Sequence, residues 1–129
     1  MVKRCVAGLE KGVDSLIREK VRGDYSKISP LLISQVAKEG DEFARLILQE
    51  TGKYLGVGVG SIINILNPDV VVIGGGVAGA GEILFKSVRR FAQLYSLPSA
   101  YSSVKILPAR LGDDAGVVGA VCLVFDQER

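Results

Sequence analysis

Leu9, Val13, Leu16 and Ile17 recur at helical spacing among charged neighbours, which predicts an amphipathic helix over residues 9–21 with one buried stripe. A second helix begins where Ser29 precedes Pro30, because serine suits an N-cap and proline the first helical position. It carries Leu32, Ile33, Val36 and Ala37 inward and ends at Gly40. Asp41 then caps a longer segment bearing Phe43, Ala44, Ile47, Leu55, Ile63 and Leu66, which stops before Pro68. Within it Gly52, Gly56 and Gly60 recur every four residues, so they share one helix face where another backbone could approach closely. Each interior glycine costs up to about 1 kcal/mol relative to alanine, so three of them imply a packing or ligand demand. The alternative is a helix broken over residues 56–60.

Asn67-Pro68-Asp69 is turn chemistry, and Val70, Val71, Val72 and Ile73 after it are all β-branched, which predicts a strand buried on both faces of a parallel sheet. A glycine-rich stretch over residues 74–81 leads into a helix over residues 82–95 with Ile83, Leu84, Val88 and Phe91 inward. A polar loop containing Ser96, Pro98, Ser102 and Ser103 precedes a second short strand over residues 104–107, completing a βαβ unit. The last helix, residues 115–125, is apolar almost all round and is expected to be deeply buried. Two strands make a poor parallel sheet by themselves, so the chain reads as the later part of a larger α/β lobe.

The chain has 129 residues, a length that suits a single domain over residues 1–129. With 48% hydrophobic and 23% charged residues it has the composition of a folded globular chain. Its 16 basic and 14 acidic residues interleave, which leaves no footprint for nucleic acid or an anionic membrane. Two cysteines and no histidine cannot build a Cys/His zinc site or a disulfide framework. Cys5 and Cys122 are therefore expected to be reduced structural residues of a cytoplasmic protein, an expectation that the absence of an apolar leader supports. The most apolar stretch, residues 54–81, is interrupted by Asn67-Pro68-Asp69 and falls short of the roughly 20 continuous apolar residues that a membrane helix needs.

The candidate chemistry centres on Gly74-Gly75-Gly76-Val77-Ala78-Gly79, which matches G-x-G-x-x-G between a strand and a helix. Lack of side chains lets backbone N–H groups approach a nucleotide, and the following helix start offers free donors and partial positive charge. A Rossmann dehydrogenase would place an acidic ribose ligand after the next strand; this chain has Leu107-Pro108-Ala109-Arg110 there, which leaves only an NADP-binding variant as an alternative. Asp113 and Asp114 could bind a divalent cation or act as acid and base, but their place before an apolar helix favours capping.

Three segments in order resemble the C-terminal part of the ROK family of bacterial glucokinases, other hexose kinases and sugar-responsive repressors. They are Lys38-Glu39-Gly40-Asp41-Glu42-Phe43-Ala44 with Gly52-Lys53-Tyr54-Leu55-Gly56, then Ile65-Leu66-Asn67-Pro68-Asp69 through Gly74-Gly75-Gly76-Val77, then Leu111-Gly112-Asp113-Asp114-Ala115-Gly116-Val117-Val118-Gly119-Ala120. The resemblance implies an α/β, ribonuclease-H-like fold of the actin-like ATPase and sugar kinase type, of which this chain would be an incomplete, helix-rich C-terminal lobe with two strands. It implies that Gly74, Gly75, Gly76 and Val77 lie against ATP, and that Asp113, Asp114 and Gly116 belong to a hinge-side connection. Glu10 would echo a Leu-Glu pair near the family's sugar site. ATP and Mg²⁺ are the implied cofactors. The phosphate motif D-x-G-G-T, the Asn-Asp segment with the catalytic base and the zinc loop of the family are not in this sequence. The expected partners are a nucleotide, a hexose held together with an N-terminal part, and a second copy or partner chain. The expected activity is part of an ATP-dependent hexose kinase that is inactive alone. The alternatives are the sugar-sensing portion of a ROK-type repressor, or a remnant serving only in oligomerisation.

Overall fold

A computed structural model describes residues 1–126. Its elements, in chain order, are helices α1 (Val2–Glu10), α2 (Leu16–Val21), α3 (Pro30–Lys38) and α4 (Glu42–Leu66), strand β1 (Val70–Ile73), helices α5 (Glu82–Leu94) and α6 (Pro98–Ser103), strand β2 (Lys105–Pro108) and helix α7 (Ala115–Asp126).

The single helix expected over residues 9–21 is two helices. Gly12 adopts φ +86°, outside helical space, and Ser15 restarts the chain by accepting a hydrogen bond from the Ile17 amide. The next two starts follow the sequence pattern. Ser29 caps α3 through the Leu32 amide at 3.1 Å, and Asp41 caps α4 through the Ala44 amide at 2.6 Å. The second oxygen of Asp41 accepts the Leu16 amide at 2.7 Å, so one carboxylate closes the first turns of two helices.

Helix α4 is continuous over 25 residues, and its glycines account for themselves in packing. A methyl group built on Gly52 would stand 2.7 Å from the Leu84 carbonyl oxygen, one on Gly56 2.6 Å from that of Val88, and one on Gly60 3.2 Å from that of Ala92. Both series advance by four residues in the same sense, so α4 and α5 run parallel with their backbones nearly touching. Around this pair lies the core, with Leu9, Ile33, Ile47, Leu48, Ile63, Leu84 and Val88 fully buried.

Strands β1 and β2 pair in parallel, Val70 opposite Lys105 through Ile73 opposite Pro108. Four expectations fail in this half. β1 is not buried on both faces, since Val70 and Val72 are exposed, Val72 by 59%. The supposed loop after α5 contains α6, and β2 sits one residue later than expected. The last failure is the largest: α7 forms, but its side chains at 116–123 are exposed, Leu123 by 69%. Its all-round apolar character has no packing partner among the described residues. No helix among them is long and apolar enough to cross a membrane.

Candidate functional site

Parallel pairing sends β1 and β2 off the same edge of the sheet, so the chain after Ile73 and the chain after Pro108 leave side by side. Crevices outside the carboxyl ends of parallel strands are where open α/β sheets bind ligands. The ladder continues into the exit, where the Ala109 amide donates to the Ile73 carbonyl at 2.9 Å, and a methyl group on Gly74 would lie 3.5 Å from the Ala109 methyl. The Gly74–Val77 turn and the segment carrying Arg110, Asp113 and Asp114 thus begin next to each other.

The turn is built on glycine for two reasons. Gly75 adopts φ +73°, a conformation that costs an L-residue about 1–2 kcal/mol. Gly75 and Gly76 also face open space where a side chain would stand, which leaves their backbone accessible. The Ala78 amide closes the turn on the Gly75 carbonyl at 2.9 Å, and a 3-10 turn, Ala78–Ala80, follows. Gly81, φ +78°, then admits the chain to α5 without a side-chain cap, so the first amides of a 13-residue helix stay available at the end of the turn.

The far end of the turn is fastened to α3. The Ser34 hydroxyl, buried, donates to the Ala80 carbonyl at 2.6 Å. One helical turn further, the Lys38 ammonium reaches 3.8 Å from the space beside Gly81. Lys38 is a cation brought to the turn by another element, and sequence reading missed it as a site residue. Its distance of 36 positions from the glycines carries no local signal, and α3 comes there through tertiary packing on the buried Ala80 and the bond from Ser34.

Other expected positions fall differently. Glu10 ends α1, which is held on α4, with Gly8 beneath the Phe43 ring and Arg4 on Glu50, and not on the sheet edge. Asp114 closes a 3-10 turn, Gly112–Asp114, by donating its amide to the Leu111 carbonyl at 3.0 Å, while the side chain of Asp113 lies outside the described residues. Gly116 is in the first turn of α7. The Gly52, Gly56 and Gly60 face meets α5, so it serves helix packing. Among the described residues no three acidic, cysteine or histidine side chains cluster in a way that could hold a metal ion. Burial pushes the Cys5 thiol up to about 11, with Asp41 adding to the effect, which leaves it a protonated core residue. Cys122 is exposed, contrary to the structural role expected for it.

Comparison with known proteins agrees with this geometry. The chain is 36% identical over 121 residues to a glucokinase of Halalkalibacterium halodurans, covering 92% of this chain and 37% of the relative. It is 30% identical over 119 residues to a xylose repressor of Caldicellulosiruptor bescii, covering 88% of this chain and 30% of the relative. The chain therefore spans about a third of the length of these curated relatives. Among solved structures, a ROK family transcriptional regulator, a homologue of the E. coli MLC protein, superposes with a TM-score of 0.72 at 28% identity over 82% of this chain and 26% of that one. The model of the ROK family matches residues 5–127, which leaves the NADP-binding Rossmann reading without support, and the chain belongs to the ROK family.

Proposed function

We propose that this chain forms the adenosine side of the ATP cleft in a glucokinase-like hexose kinase of actin-like fold. The observation that carries the reading is the turn itself: Gly75 at φ +73° and Gly76 leave bare backbone open at the C-terminal edge of a parallel sheet, directly before an uncapped helix start. ATP bound there supplies the phosphoryl group, and Mg²⁺ neutralises its charge. This chain contributes binding and orientation. Backbone groups of Gly74, Gly75 and Gly76 lie against the nucleotide, and Val77, half-buried, offers an apolar contact beside them. The start of α5 and the Lys38 ammonium favour negative charge at the far end of the turn. Asp113, Asp114 and Gly116 are assigned to the connection that carries the chain into α7. Activation of the sugar hydroxyl requires a base that this sequence does not hold, so hexose binding and transfer fall to a further part of the catalytic unit.

Titrating the purified chain with ATP tests the reading. The expected outcome is saturable binding with no phosphorylation of glucose. Gly75→Val should weaken ATP by about tenfold or more, because the branched side chain fills the open approach and opposes positive φ. Phosphorylation of glucose by the chain alone at an ordinary kinase rate would sink this division of labour. The second reading is the sugar-sensing portion of a repressor, favoured by the similarity to a xylose repressor and to a transcriptional regulator. It requires the same chain to show no ATP binding at about 1 mM nucleotide.

A further inference from the structure

Basic and acidic residues interleave along the sequence, but folding sorts them. A groove of about 580 Å³ runs between α4 and α5, with Arg45 and Lys53 on one wall and Lys86 and Arg90 on the other. Glu50 is the one carboxylate in its lining, and it is already committed to the Arg4 guanidinium through contacts of 3.1 and 3.2 Å. Among the described residues no carboxylate stands within ion-pair distance of Lys53, Lys86 or Arg90. The Lys53 ammonium and the Arg90 guanidinium instead share one aromatic ring, each 5.8 Å from the centre of Phe91. Lys53, Lys86 and Arg90 therefore line a concave surface with no carboxylate paired to them among the described residues, and Arg45, whose Nε donates to the Ala37 carbonyl at 3.0 Å, adds a fourth positive charge at its edge, an arrangement that attracts an anion.

Dimensions and chemistry narrow the occupant. Arg45 and Lys53 are eight residues apart on α4, about 12 Å along the axis. The volume lies within the roughly 300–1,000 Å³ of small-molecule sites. Leu46 and Ile83 supply apolar surface beside the cations. Lysine and arginine together suit phosphate oxygens, lysine as a point charge and arginine through its planar fork. None of the turn residues Gly74 to Val77 lines this groove. We infer that the α4–α5 groove is a second binding site, for a small phosphate-bearing molecule with at least two negative charges. An acidic protein segment is the less favoured occupant, since the charge is concentrated within two helical turns and does not extend along a stripe.

The test is calorimetric titration of the purified chain with inorganic tripolyphosphate at low salt, each variant first being checked for native circular dichroism. Lys86 and Arg90 are exposed, so removing them leaves the fold intact. The expected result is saturable binding that loosens by about tenfold or more in Lys86→Ala/Arg90→Ala. The equal-charge control Lys3→Ala/Lys11→Ala should stay within about twofold of the parent. Equal loosening in the control would reduce the effect to net charge and overturn the proposal. Loss confined to Gly75→Val would move the binding to the turn and overturn it as well. Absence of binding at about 1 mM tripolyphosphate, or tighter binding of a poly-glutamate peptide than of tripolyphosphate, would do the same.

Discussion

The helical half and the sheet half of this molecule use the same kinds of residue to opposite effect. In α4 and α5, Leu48, Ile63, Leu84 and Val88 are fully buried, and glycine removes even the last methyl groups between the two backbones. In β1 and α7, Val72, Val117 and Leu123 are equally apolar and stand in the open. The difference teaches that apolar pattern specifies an element, whereas burial depends on what else is present to cover it. The seam between α4 and α5 is closed, although Leu46, Tyr54 and Ile65 stand exposed elsewhere on α4; β1 and α7 offer a face that the chain's relatives, about three times as long, have more chain to occupy.

Paired truncations would break this comparison most forcefully. Leu84→Ala should destabilise the chain by about 2–5 kcal/mol, whereas Leu123→Ala should cost under about 0.5 kcal/mol, as read from urea midpoints. A large cost at Leu123 would mean that α7 is covered in solution. Next comes the helix contact. Gly56→Ala places a methyl group 2.6 Å from the Val88 carbonyl oxygen and should cost about 1–3 kcal/mol of overpacking, offset in part by up to about 1 kcal/mol of helix propensity. Gly58, which faces open space on the same helix, is the internal control, and Gly58→Ala should stabilise by that propensity alone.

Asp41→Ala removes the acceptor for both the Ala44 and Leu16 amides and should cost about 2 kcal/mol, more than the roughly 1 kcal/mol expected of an ordinary cap such as Ser29→Ala. A double-mutant cycle with Ser15→Ala would show whether α2 loosens along with α4. The last comparison concerns the thiols. At pH 8 Cys5 should resist alkylation while Cys122 reacts, and an added ROK N-terminal part that covers α7 should slow Cys122. Because the folded Cys5 thiol titrates near 11 and its ordinary value is 9.0, the unfolded chain loses its proton first. Stability should therefore be full below about pH 9 and fall as pH rises toward 11.

Much of the fold was legible where a local rule sufficed. Ser29-Pro30 and Asp41 announced two helix starts, the four-residue glycine spacing announced a close backbone approach, and Asn67-Pro68-Asp69 announced the strand. Reading failed where the deciding partner was distant or missing. Gly12 splits α1 from α2 by adopting a left-handed conformation that apolar periodicity does not register. The Ser96–Ser103 stretch looked like a polar loop, yet Pro98 starts a short helix there, and the Tyr101 hydroxyl anchors it by donating to the Arg89 carbonyl. Burial of α7 was inferred from composition, which says what a helix prefers and not what stands beside it. At the site the glycines were legible, but Lys38 was not, nor were the groove cations, which lie on two helices some 40 residues apart and meet only in three dimensions.

The glycine face of α4 carries one more consequence. Its three close approaches to the carbonyl oxygens of Leu84, Val88 and Ala92 repeat with a pitch of about one helical turn, like teeth, so a side chain at any of them would unseat α5 from α4. The candidate nucleotide turn ends where α5 begins, at Gly81. The placement of that turn thus depends on residues as far along the chain as Gly60 and Ala92, and a bulky side chain at any tooth would push α5 away from α4 and displace the turn without touching it.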